Sequence, residues 1–105
     1  MRIPSEIYSH LGPVPVVPVE NLAKNENAHG VSKMLQRTIQ IEPEQAPEAA
    51  WQTFFHEMAH FILWDAGLNN VLTDKQVEAI CDATGTYLAA AQKAGYVKAG
   101  IPRKG

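Results

Sequence analysis

The chain has 105 residues, 46% hydrophobic and 19% charged, which suits one folded domain over 1–105 and excludes an intrinsically disordered segment. Its net charge of −2 offers no basic surface to a nucleic acid. No window reaches the roughly 18 uninterrupted apolar residues of a membrane span, and Glu6 and the early prolines interrupt the apolar run that a secretory signal needs. A single cysteine, Cys81, excludes an internal disulfide and fits a reducing, cytoplasmic setting.

In chain order, residues 5–11 follow Pro4 and stop at Gly12, a spacing that predicts a short helix. The next stretch, GPVPVVPVE, favours extended backbone through Val14, Val16 and Val17. Pro13, Pro15 and Pro18 cannot donate to a ladder, so this strand is expected at a sheet edge or irregular. NLAKNENAHG reads as a polar loop. Residues 38–41 alternate, with Ile39 and Ile41 on one face, which predicts a half-buried strand. Residues 31–33 are its candidate hairpin partner.

A loop then leads into a helix over 47–66, with Pro47 in its first turn and Gly67 past its end. A second helix starts after Thr73, where Gln76 three residues on completes a capping box, and runs to 94 before Gly95. The tail IPRKG is expected as loose chain. A small sheet of about three strands, antiparallel or mixed, followed by an antiparallel helix pair, makes the fold class α+β.

Within the first helix, residues 54–61 read FFHEMAHF. On a wheel of about 100° per residue, Trp51, Phe55, Met58 and Ile62 cluster on one side, joined by Phe54, Ala59 and Ala66. His56, Glu57 and His60 fall opposite, with Thr53 and Trp64 near them. Residues i and i+4 lie one turn apart on one face, so both imidazoles can aim at one metal ion. Glu57 is rotated about 100° from His56, too far round to share the ligands' line. It is placed instead to act as a general base on water beside the ion. A lone helical histidine is usually a surface or core residue. The full H-E-x-x-H pattern arises by chance in a chain this short less than about one time in a hundred.

A third donor is available on the second helix, where Glu78 and Asp82 again stand at i and i+4. They lie off the apolar arc of Val77, Ile80, Cys81, Thr84, Leu88 and Ala91, on a flank continued by Gly85 and Ala89. His60 lies about 9 Å before the end of its helix and Glu78 about 7.5 Å into the next, at 1.5 Å per residue. Antiparallel helices would bring these depths together. His56, His60 and Glu78 are therefore the expected zinc ligands, and Asp82 the expected hydrogen-bond acceptor for the His56 nitrogen away from the ion. Taken singly, Glu78 and Asp82 read as an exposed acidic flank, and Cys81 as a small buried hydrophobe.

These residues, His56-Glu57-Met58-Ala59-His60 and Glu78-Ala79-Ile80-Cys81-Asp82, resemble the HExxH and ExxxD motifs of gluzincin metallopeptidases. The compact size is most similar to minimal members such as ImmA/IrrE-type peptidases of bacteria and phages. The resemblance implies one zinc ion per chain, a peptide or protein substrate, hydrolysis with Glu57 as base, and a substrate-pairing strand at 38–41. It also implies a phage or mobile-element setting. It supplies no oxyanion helper: Tyr87 points away from the Glu78 flank, and His29, Tyr8 and Tyr96 read as loop or packing residues. Two other readings stand beside it, a zinc-containing binding or regulatory protein without turnover and a metal-free helical docking protein.

Overall fold

The structure, a computed structural model, describes residues 3–9 and 11–95; the tail and Tyr96 lie outside them. The fold is α+β. Its elements are β1 (Glu6–Ser9), β2 (Gly12–Pro18), α1 (Leu22–Glu26), β3 (Gly30–Lys33), β4 (Thr38–Ile41), α2 (Pro47–Asp65), a 3-10 turn at Leu68–Asn70, and α3 (Asp74–Lys93). The sheet is mixed and has four strands in the order β1-β2-β4-β3. β2 runs parallel to β4 and the other pairs are antiparallel.

Within the segment expected as a helix at 5–11, Glu6–Ser9 form strand β1, with Ile7 opposite Val14. One or two helical turns are marginal in water, whereas pairing with β2 satisfies the main chain and sets Ile7 against the core.

β2 is likewise not an edge. Alternate amides of a strand point to opposite sides, and the Val16 N–H donates to the Ser5 carbonyl on the β1 side at 2.8 Å. Pro13 and Pro15 therefore turn their ring nitrogens towards β4, whose pairing begins only at Val16. Pro18 turns towards β1, beyond the last residue that β1 offers. Each proline sits where no donor is required.

The polar stretch at 21–30 holds the short helix α1. Its anchors are the buried Leu22 and the buried Glu42, whose carboxylate accepts from the Ala23 N–H at 3.0 Å. The 31–33 pairing with 38–41 is present as the β3–β4 hairpin.

α2 is buried on more than one side. Trp51, Phe54, Phe55 and Phe61 meet Val14, Val16, Ile39 and Ile41 of the sheet, while Ala59 and Leu63 meet Val77 and Cys81 of α3. A helix held between a sheet and a second helix keeps only narrow exposed strips. Ile62 and Trp64, on opposite sides of the helix, are both exposed, so Ile62 lies outside the core in which the wheel placed it. Ile80, assigned to the arc of α3, is exposed as well. Among the described residues, no helix is long and apolar enough to cross a membrane.

Candidate metal centre

α3 begins at a complete capping box: Thr73 Oγ1 accepts from the Gln76 N–H at 3.1 Å, and Gln76 Oε1 accepts from the Thr73 N–H at 2.8 Å. That fixes where the helix starts, and hence the depth at which Glu78 and Asp82 emerge. Gly85 then sets the separation. A Cβ there would stand 2.8 Å from the Gln52 carbonyl oxygen and 3.1 Å from His56 Cβ, so only glycine lets α3 lie this close to α2.

At that separation the expected ligands meet. His56 Nε2 lies 3.1 Å from Glu78 Oε1, and His60 Nε2 lies 3.1 Å from Glu78 Oε2. The imidazole centroids are 5.0 Å apart, and one donor atom from each of the three residues falls within 4.8 Å of the others. Bonds of about 2.0–2.1 Å at tetrahedral angles would place ligand atoms roughly 3.3 Å apart. The triangle can therefore close on a divalent ion with little movement. Asp82 Oδ1 lies 2.9 Å from His56 Nδ1. At that distance its carboxylate is the acceptor at hand for an Nδ1–H, the tautomer that turns the Nε2 lone pair towards Glu78.

Glu57 follows His56 directly but faces another element. It is buried, and the Ser32 hydroxyl on β3 donates to its Oε1 at 2.7 Å. Its other oxygen, Oε2, lies 3.9 Å from His56 Nε2, on the side of the triangle. Burial pushes the Glu57 carboxyl above its ordinary range, while the Ser32 bond and the two histidines pull it down and Glu78 adds to the rise. Gly30 completes the clamp, since a Cβ there would come within 3.0 Å of Glu57 Cγ and collide with the Thr53 methyl. The sequence named neither Ser32 nor Gly30. Their only signal was the weak hairpin pattern at 31–33, and nothing local shows which helix a strand residue will face.

These groups border a cleft of about 790 Å³ whose walls include Gly30, Val31 and Ser32 of β3, Ala49 and Thr53 of α2, and Glu78. The strand on its rim is β3. The 38–41 strand, expected to receive substrate, is enclosed between β2 and β3 and has no free edge. β3 does have one. The Glu42 N–H donates to the His29 carbonyl at 2.8 Å, so in this antiparallel ladder His29, Val31 and Lys33 turn their main-chain groups to β4. Gly30 and Ser32 turn theirs the other way.

Of the remaining candidates, His29 is on the cleft wall. Tyr87 is exposed and does not line the cleft, and Tyr8 is exposed on β1, its hydroxyl donating to Glu6. Cys81 is fully buried between α2 and α3, and burial pushes its thiol up to about 12.

The chain matches no protein-family model, no curated protein and no solved structure in the comparisons made. What the centre can do therefore follows from its own donors, base and cleft.

Proposed function

We propose that the chain is a zinc-dependent peptidase of gluzincin type, with His56, His60 and Glu78 as ligands and Glu57 as general base. One observation carries this reading: an incomplete ligand set lies beside a carboxylate that is held independently of it. Three donors converge at the cleft, whereas structural zinc sites fill all four positions with protein. Neither neighbour fits the fourth position. Asp82 Oδ1 lies against His56 Nδ1, and Cys81 is buried within the α2–α3 core and does not line the cleft.

A zinc ion in this position would supply the Lewis acidity that turns water into a nucleophile near neutral pH. Glu57, at the edge of the cleft, would take a proton from an attacking water and deliver it to the leaving amine. Burial raises the proton affinity of Glu57 above that of an exposed glutamate, which favours taking the proton, and a leaving amine, more basic still, can receive it. Asp82 keeps His56 in the tautomer that offers Nε2. An extended peptide would add as a strand along the free edge of β3, whose rim opens onto the cleft. A reducing cytosol belongs to the same reading and rests on the single cysteine.

Glu57→Gln should keep about one zinc per chain and lose roughly 10²–10⁴-fold in peptide cleavage. Full turnover in that variant would remove Glu57 from the role. Wild-type protein that takes up zinc and binds peptides without cutting them would make the chain a binding protein instead.

A further inference from the structure

Ser32 belongs to two systems at once. Its hydroxyl donates to Glu57 Oε1 at 2.7 Å and lies 3.1 Å from the Glu57 carbonyl oxygen, so its one proton goes to the nearer, charged acceptor. Among the described residues, no other hydrogen bond reaches that carboxylate. Its main-chain N–H and C=O, by the alternation of the β3–β4 ladder, point to the open edge where the cleft lies. Gly30 repeats the arrangement two residues earlier, with its Cα against Glu57 and its main chain facing outward. The two positions that clamp the carboxylate are thus the two whose backbone is free to pair with an extended chain.

We infer that Ser32 is a positioning residue tying the register of a bound peptide to the placement of the base. A peptide paired with the Ser32 main chain has its scissile carbonyl set at a fixed distance from a carboxylate that the same residue holds. The inference rests on the peptidase reading. It adds that the base is aimed from the sheet rather than by its own helix.

The test is steady-state kinetics of the zinc-loaded full chain carrying Ser32→Ala or Ser32→Thr, together with a melting cycle on the metal-free protein. Misplacing a catalytic group by about 1 Å costs on the order of 100-fold. Ser32→Ala should therefore lose about 10- to 100-fold in kcat with KM within about twofold, and Ser32→Thr, which keeps the hydroxyl, should recover most of it. In the metal-free melts, Ser32→Ala should lower Tm in the wild-type background and clearly less in Glu57→Ala, where the acceptor is gone. Unchanged kcat in Ser32→Ala, no recovery by Ser32→Thr, or equal Tm shifts in the two backgrounds would overturn the inference. A wild-type chain inactive on every peptide offered would instead remove the peptidase reading, a result distinct from an active wild type matched by Ser32→Ala.

Discussion

Two clusters of charge lie on α2, and they are built in opposite ways. Near the C-terminus, Asp65 receives both terminal nitrogens of Arg37 at 2.9 and 3.0 Å, and the same guanidinium reaches Ser9 Oγ and lies over the Phe61 ring. A guanidinium meets a carboxylate there, and the Asp65 side chain is 2% exposed. Earlier on the same helix, two imidazoles face Glu78 and Asp82, whose side chains are 57% and 69% exposed. Glu57 adds a further carboxylate, and among the described residues no lysine or arginine lines the cleft. The Arg37 pair ties β1, the β3–β4 turn and α2 together. Among the described residues, the other cluster sets the carboxylates of Glu57, Glu78 and Asp82 around two imidazoles, an arrangement that suits a cation.

Substitutions should separate the two. His60→Ala removes a donor without disturbing the core. Zinc binding worth about 10–16 kcal/mol over four ligands averages roughly 2.5–4 kcal/mol for each, so affinity should fall by roughly 70- to 900-fold in chelator competition. Urea unfolding of the metal-free variant should barely change. Asp65→Ala should do the reverse: about 3 kcal/mol of stability lost, because a bidentate charged pair is broken at a buried carboxylate, and zinc affinity unaltered. Large instability in His60→Ala, or lost zinc in Asp65→Ala, would erase the contrast.

Gly85→Ala sharpens it, since one methyl should touch both quantities. The added carbon meets backbone at Gln52 and His56, which a rotamer change cannot relieve. Overpacking of this kind costs about 1–3 kcal/mol. Relief by moving α3 outward would carry Glu78 off the histidines, so zinc affinity and unfolding free energy should drop together. A fall in stability alone would mean that α3 pivots around Glu78 instead of withdrawing.

The helical half was readable because its signals are local. Thr73 and Gln76 complete their box within one turn, and the His56–His60 spacing is a property of one helix. Antiparallel depth then sufficed to bring Glu78 opposite them. The sheet half was not, because its deciding contacts span the chain. Ala23 is capped by Glu42, β1 is a strand only beside β2, and the prolines of β2 are tolerated only because its two neighbours pair along different stretches. Ser32 is the sharpest case. As a serine in a weak strand it carries no signal at all, and it acquires one only when β3 is laid against Glu57, 25 residues on.

That contact also yields the smallest of the expected effects. The Glu57 carboxyl is raised above its ordinary value of 4.5, with burial as the leading cause and Ser32 opposing it. A carboxyl raised on folding binds its proton more tightly in the folded state. The stability this gives is fully present below the unfolded value and is lost as pH climbs through the raised one. Gln has the same shape, is neutral throughout, and still accepts the Ser32 proton through its amide oxygen. Metal-free Glu57→Gln should therefore equal the wild type near about pH 4 and exceed it near about pH 7, as read by urea midpoints across that range. A variant less stable than the wild type at neutral pH would show that Ser32 and the histidines outweigh burial, and that the carboxylate is held charged even before any ion arrives.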